Sequence, residues 1–254
     1  MSGPPPSVFK DHFSANAASY ARYRPDYPPE LFAYLAGLAP SHRRAWDCAT
    51  GNGQAALGLA EHFTEVVATD ASSKQLAEAA PHARVTYRAA PAEDSGLPEA
   101  CFDLVTAAQA AHWFDRPRFW REARRVLVPD GIVAVWCYEL FRSTPEIDRV
   151  IDRLYHDVVG PHWPPERRLT EDGFRSLDFP FPEIAPPEFQ MEKRWTLAEL
   201  QGYLTTWSAA RRYREARGGD PVDEVREDLA RAWGPPEEAR SICWEIGMRV
   251  GRST

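Results

Sequence analysis

Three acidic side chains and one histidine stand where they could do chemistry, and the first of them, Asp47, comes four residues before a glycine turn. The stretch Ala45-Trp46-Asp47-Cys48-Ala49-Thr50-Gly51-Asn52-Gly53-Gln54-Ala55-Ala56-Leu57 reads as a short strand, a tight bend and the opening of a helix. Gly51 and Gly53 let the backbone approach a ligand without a Cβ in the way, and the helix start aims N–H groups at it. Such a bend suits a nucleotide-type cofactor. Gly51-x-Gly53-x-x-Ala56 satisfies a relaxed dinucleotide fingerprint, with Asp70 about where a ribose-binding acid is expected. Asp47 separates the cofactor classes. A fixed carboxylate at the end of the strand repels a pyrophosphate, whereas S-adenosylmethionine has no phosphate and carries a cationic ammonium and a cationic sulfonium.

Asp70 ends the second expected strand. It is expected to accept both ribose hydroxyls, a charge-assisted contact of about 1.5–3 kcal/mol; the alternative is an acid that caps the helix before Ser72. Pro91-Ala92-Glu93-Asp94 follows the third strand, where backbone N–H groups and an acid could read an adenine edge. Upstream, Arg24 and the tyrosines around it, Tyr20 among them, form either a flap reaching the cofactor's carboxylate or a cap that merely packs on the sheet. His112 is the candidate general base, the competing role being a histidine that caps its loop or stacks on Trp113. Trp163, Arg167, Arg168, Trp207, Arg211, Arg212 and Tyr213 make a cationic and aromatic set suited to an acidic substrate. For any one of these arginines the competing role is a solvated helix face. Arg211 lies one turn after Trp207 on the same face.

The elements that must hold these residues are legible in the alternation of apolar and polar segments. Strands are expected at Ala45–Cys48, Glu65–Asp70, Arg84–Ala89, Phe102–Ala107 and Gly131–Trp136, with helices at Gln54–Phe63, Lys74–Ala80 and from Asp115-Arg116-Pro117 onward. Such alternation implies parallel strands with right-handed crossovers and helices on both faces, and ligands bind beyond the carboxyl ends of the strands. Asp47, Asp70, Pro91–Glu93 and Ala108–Phe114 then converge on one rim. Beyond Glu139 prolines, tryptophans and arginines accumulate. A helical insertion is expected at Pro145–Val159, a strand at Glu188–Trp195, a capping box at Thr196-Leu-Ala-Glu199, one helix from Asp220-Pro221 to Trp233, and a final strand at Ile242–Val250 antiparallel to Glu188–Trp195. The chain divides into a floppy tail at 1–8, a helical flap at 9–40, a cofactor core at 41–138, a substrate cap at 139–187, and remaining strands with inserted helices at 188–254.

Composition bounds the partners. Thirty Lys and Arg against 37 Asp and Glu give a net charge of −7, which argues against a nucleic-acid footprint or an anionic membrane surface and favours a small-molecule partner. No apolar run approaches a membrane span, and the start lacks the pattern of a signal peptide. The four widely separated cysteines read as reduced, which implies a cytoplasmic protein; no metal-ligand set stands out, and a monomer or a homodimer is equally compatible.

With these residues in view, the chain resembles the class I S-adenosylmethionine-dependent methyltransferases, and within them is similar to the trans-aconitate methyltransferase-like small-molecule branch. The resemblance rests on Tyr20-x-x-Tyr23-Arg24-Pro25-x-Tyr27-Pro28, Asp47-x-Ala49-x-Gly51-x-Gly53, Gln109-Ala110-x-His112-Trp113-Phe114-Asp115 with Glu122-x-x-Arg125-Val126-Leu127, and Tyr203-Leu204-x-Thr206-Trp207-Ser208-Ala209. It implies an α/β fold with a Rossmann-like, doubly wound, seven-stranded sheet, the last strand antiparallel, and a helical insertion or cap. It also implies that the Asp47 to Gly53 turn, Ala49 included, holds the methionine half of the cofactor, Asp70 with Ala71 the ribose, Ala92 and Glu93 the adenine, and Gln109 and Ala110 the sulfonium region. Tyr20 and Arg24 join that cofactor set, while His112, Trp113, Trp207 and Arg211 face the substrate. The expected reaction is O-methylation of a small carboxylic acid. The alternatives are carbon methylation of a quinone-like precursor, a non-catalytic cofactor binder, and an NAD-dependent oxidoreductase.

Overall fold

The computed structural model describes residues 25–254. Tyr20, Arg24 and the rest of the expected flap before Pro25 therefore lie outside the described residues. Five parallel strands make the body of one mixed sheet: β1 (Arg44–Cys48), β2 (Glu65–Asp70), β3 (Val85–Ala89), β4 (Phe102–Ala108) and β5 (Leu127–Tyr138). β6 (Glu183–Ile184), β7 (Phe189–Trp195) and β8 (Arg240–Arg252) complete it, in the order β3-β2-β1-β4-β5-β8-β6 with β7 also paired to β8. β8 runs antiparallel to β5, β6 and β7.

The sheet thus has the expected seven positions and the expected antiparallel last strand, but eight strands. β6 pairs with Val250 and Gly251 and β7 with residues 240–246, so two short pieces share one edge of β8. Pro186 and Pro187 lie between them, and a proline has no N–H to give to a ladder, which breaks the edge there.

Helices cover both faces. α1 (Pro29–Leu38) and α2 (Gln54–Ala60) pack Leu31, Phe32, Leu35, Ala55, Ala56 and Leu59 against one face, over Val66, Leu104 and Trp136. α3 (Ser73–Ala77) is a short helix whose first turn is held by Ser72, which accepts from the Gln75 N–H. α4 (Arg116–Val126) covers the other face, where Phe119, Trp120, Ala123 and Val126 meet Trp46, Val105 and Val133. Asp115 accepts from the Arg118 N–H and Pro117 occupies the first turn, so this helix starts where its capping residues place it.

A third cluster builds a helical cap beside the strand ends. α5 (Pro145–Arg153) continues into a π turn at Leu154–Val158, and α6 (Arg168–Glu171) follows a 3₁₀ turn at Pro165–Arg167. α7 (Leu197–Thr205), started by the Thr196–Glu199 capping box, α8 (Ser208–Arg217) and α9 (Arg226–Trp233) close it. Ile147, Ile151, Leu154 and Tyr155 share one core with Leu200, Leu204, Trp207, Leu229 and Trp233, so the cap draws on residues well before and well after β6 and β7. The single helix expected from Pro221 to Trp233 is instead a 3₁₀ turn, Pro221–Val225, followed by α9, because Val225 leaves helical geometry at φ −124° and ψ 4°. Gly247 of β8 lies against the backbone of Gly173, and a Cβ at 247 would collide with it. That close approach lets the loop carrying Thr170 and Phe174 lie on the sheet.

Candidate active site

β1 ends in Asp47 and Cys48, and the chain then bends through Ala49, Gly51 and Gly53, all at positive φ (54°, 59° and 89°). Three left-handed residues in five fold the strand directly into α2. The Cβ of any residue at 53 would also run into the hydroxyl of Tyr87, which reaches over the bend from β3 and donates to the Ala80 carbonyl. Ala49 takes its left-handed conformation without being a glycine, a strain of about 1–2 kcal/mol that the surrounding bonds must hold.

Asp47 supplies part of that hold. It was expected on the rim; the structure places it beneath the bend, with no solvent exposure. Its carboxylate accepts from the Thr50 hydroxyl at 2.5 Å and from the Thr106 hydroxyl at 2.8 Å. Thr106 faces it because β4 pairs Thr106 with Asp47 in parallel register. Burial pushes the Asp47 carboxyl up to about 6, against the Thr50 and Thr106 bonds that favour its charge. At pH 7 it is still mostly ionised.

Asp70 closes the bend from the side. One carboxylate oxygen accepts from the Gly51 N–H at 2.9 Å and the other from the Ser72 N–H at 2.8 Å. The acid that could have been only a helix cap therefore ties the end of β2 to both the glycine bend and the start of α3. Ala71, next to it, is exposed on the rim. Glu93 accepts from the Asp115 N–H at 2.9 Å, which joins its loop to the start of α4, and Ala92 is buried behind it. The same loop is held from below: Glu122 accepts from the Ser95 N–H at 3.0 Å and pairs with Arg125 at 2.7 Å, while Arg125 also donates to the Leu97 carbonyl. The Glu122-x-x-Arg125 pattern is thus a fastening for the loop that carries Ala92 and Glu93.

These acids converge. Burial first, and then the charges of Asp47, Glu93 and Asp70, push the Cys48 thiol well above its usual range. Two carboxylates beside the turn, Asp70 and Glu93, with the buried Asp47 beneath it, favour a cationic ligand and oppose a diphosphate.

After β4 the chain passes Gln109, at φ 55°, whose N–H donates to the Trp136 carbonyl at 2.8 Å and whose amide reaches the Tyr138 carbonyl at 3.5 Å. Ala110 is buried. His112 follows in a 3₁₀ turn, Ala111–Trp113, and is only 5% exposed. Its ring lies 4.6 Å from that of Trp113 and 6.0 Å from that of Phe174, and its Nδ1 is buried with no hydrogen-bond partner. Burial, then the nearby cations Arg167 and Arg116, pull His112 down to about 3. The imidazole is neutral at any physiological pH and a weak base.

The cap brings together Tyr155, Trp163, Arg167 and Trp207. Tyr155 rides on the π turn, its ring 5.0 Å from that of Trp163 and edge-on to that of Trp207 at 5.7 Å; Trp163 and Trp207 are 5.7 Å apart. Trp207 is almost wholly buried in this cluster. Arg211, which shares a helical face with Trp207, lies 3.8 Å from Glu215, and Arg212 donates to the His162 carbonyl at 3.5 Å. Tyr87, Thr106 and Tyr155 carry no motif that marks them in the sequence; only the strand pairing and the cap packing bring them to the site.

Residues 46–154 match the family model described as a methyltransferase domain. A Dictyostelium discoideum protein named as a candidate methyltransferase is 31% identical over 234 residues, which cover 91% of this chain and 89% of that protein. The chain belongs to the class I S-adenosylmethionine-dependent methyltransferases. A solved structure titled as a candidate type II methyltransferase from Anaeromyxobacter dehalogenans is similar to this methyltransferase throughout, with a TM-score of 0.86, 49% identity, and coverage of 91% of this chain and 98% of that one. The YcgJ protein of Bacillus subtilis, at 17% identity and a TM-score of 0.51 over 88% of this chain and 98% of that one, shares the fold. S-adenosylmethionine is accordingly the cofactor of this methyltransferase, in agreement with its acidic rim. Among the described residues no helix is long and apolar enough to cross a membrane.

Proposed function

We propose that the protein transfers the methyl group of S-adenosylmethionine to a carboxylate oxygen of a small organic acid, in the manner of the trans-aconitate methyltransferase-like branch. The observation that carries this reading is the histidine at the end of β4. His112, the side chain best placed to act as a base, is held neutral and weakly basic by burial and by Arg167 and Arg116. A phenol or carbon acid must lose a proton to react, whereas a carboxylate is already ionised at pH 7. Cations over the strand ends favour the same substrate.

In this reading the Ala49 to Gly53 bend, shaped by Asp47 beneath it, receives the methionine half of the cofactor. Asp70 and Ala71 receive the ribose, Ala92 and Glu93 the adenine, and Gln109 and Ala110 the region around the sulfur, with Tyr20 and Arg24 completing the methionine end. Bound S-adenosylmethionine supplies an electrophilic methyl group on a sulfonium. The protein's own task is to orient the acceptor oxygen in line with that methyl and to exclude water, and alignment of this kind lowers the barrier by about 7–11 kcal/mol. His112, Trp113, Trp207 and Arg211 line the substrate side. Charge is conserved without a proton transfer: a carboxylate and a sulfonium give a neutral ester and a neutral thioether.

The pH dependence follows. For a carboxylate acceptor, kcat is expected to stay level between about pH 6.5 and 9, since the acceptor ionises far below this range and His112 titrates far below it too. Single-turnover rates across that range check this, and a tenfold rise per pH unit around neutrality would show that a base is required.

A further inference from the structure

The cap holds several arginines, and only one combines a fixed position with closeness to the orphaned histidine. Arg214 pairs with Asp220 at 3.1 Å, Arg211 lies beside Glu215, and Arg168 is exposed. Arg167 combines three features. The central carbon of its guanidinium lies over Trp163, 4.7 Å from the ring centre, and 5.7 Å from that of Tyr155. Its Nε donates to the Tyr155 hydroxyl at 2.9 Å, and that hydroxyl donates to Glu171 at 2.8 Å. Among the described residues it forms no ion pair with a carboxylate.

This is an arginine held at Nε and lying over an aromatic ring, with no ion-pair partner among the described residues. The Trp163 contact and the Tyr155 bond restrain the fork, so less rotamer entropy remains to be lost when it takes up an anion. The 3₁₀ turn Pro165–Arg167 packs directly against the 3₁₀ turn Ala111–Trp113, which places Arg167 over the rim where β4 ends. There His112, nine-tenths buried, leaves Nδ1 without a partner. A buried polar atom without a partner is costly, and a cation beside it invites an anionic oxygen that satisfies both.

We propose that Arg167 and His112 together form the subsite for the substrate's carboxylate, the guanidinium holding one oxygen and His112 donating to that same oxygen from Nδ1–H. The second oxygen is left to face the methyl group. Tyr155 and Trp163 are positioning residues that act through Arg167. The subsite selects organic acids against their neutral amides, and loss of the negative charge on methylation removes the attraction that held the substrate, which favours release of the ester. This assignment rests on the carboxylate reading above.

Calorimetric titration of the protein saturated with S-adenosylhomocysteine tests both separately. The probes are benzoate, phenylacetate, cinnamate and succinate, each beside its neutral amide, together with phenol. At least one acid is expected to bind the wild-type chain at least tenfold more tightly than its amide, and Arg167→Met to abolish that preference, weakening the acid about tenfold to hundredfold. Arg167→Lys restores part of it, because it keeps the charge without the fork, and Tyr155→Phe weakens the acid less than Arg167→Met does. Affinity for S-adenosylhomocysteine stays within about twofold in all three, which shows that the fold and the cofactor site survive. If an acid binds the wild type and binds Arg167→Met equally well, the subsite is wrong while the carboxylate reading stands. If no acid binds the wild type, the carboxylate reading itself falls.

Discussion

Asp47→Asn is expected to make the free protein more stable and the cofactor complex weaker. The carboxyl is wholly buried and is pushed up from 3.8 to about 6. A carboxyl whose folded value exceeds its unfolded value binds the proton more tightly when folded. Its contribution to stability is therefore full below about pH 4, falls as pH rises to about 6, and at pH 7 the ionised group costs about 3 kcal/mol. Asparagine removes most of that cost. It keeps the shape, and the Thr50 and Thr106 hydroxyls that now donate to the carboxylate can rotate to accept from an amide; Thr106 already lies 3.4 Å from the Trp46 carbonyl as an alternative acceptor. A gain of about 2 kcal/mol at pH 7 corresponds to roughly 4–8 °C in Tm for a chain of this size. The gain should shrink toward pH 4, where wild type is protonated.

Binding changes the other way. A unit charge about 8 Å from a cationic ligand, at an effective dielectric near 20, contributes on the order of 2 kcal/mol, or about thirtyfold in affinity. Thermal unfolding and calorimetric titration with S-adenosylmethionine, both run from pH 4.5 to 8, check the pair. In wild type the affinity falls below pH 6 as Asp47 is protonated, and in Asp47→Asn it loses that slope. An asparagine variant that is less stable at pH 7, or that binds the cofactor as tightly as wild type, contradicts the electrostatic role assigned to this side chain.

Asp70→Ala carries the second large effect. Its two oxygens tie the Gly51 and Ser72 N–H groups to the end of β2. Removing them releases the bend and leaves two backbone donors on the rim to be satisfied by water, in addition to deleting the acceptor assigned to the ribose. Cofactor affinity is expected to fall at least tenfold, and Tm by a few degrees, with the circular dichroism of the fold retained. Unchanged affinity for S-adenosylhomocysteine in the alanine variant would remove the ribose role and reduce Asp70 to the helix-start residue that its sequence position also allows.

Much of the fold could be read directly from the chain, because its signals are local. Ser72, Asp115 and Thr196 each accept from the N–H three residues on, as residue types at helix starts should. The glycine bend was legible for the same reason: Gly51 and Gly53 take the conformations that their spacing requires. What could not be read depends on partners far away in sequence. Asp47 goes under the bend because Thr106, brought beside it by strand pairing 59 residues on, gives its carboxylate a second donor. Pro186-Pro187 is visible as a proline pair, but only the length of β8 shows that it divides one sheet edge into two strands.

The site divides in the same way. The acids of the rim were recognisable from where strands end. The ranking of the cap arginines was not, since Arg167 owes its position to a tyrosine on a π turn and to a histidine from another segment. His112 itself was legible as a residue of interest; its ring lies against Trp113, as one of its two expected roles has it, while burial and two cations leave it a poor general base, the other.

The most direct test of the central claim is chemical. The protein is incubated with S-adenosylmethionine labelled in its methyl group and with a panel of organic acids, phenols and quinone precursors, and the methylated product is then treated with mild base. Label is expected in the acid-containing reactions, released by base as methanol, as a methyl ester requires. Label that base cannot remove, held in an aryl ether or on carbon, would contradict that claim.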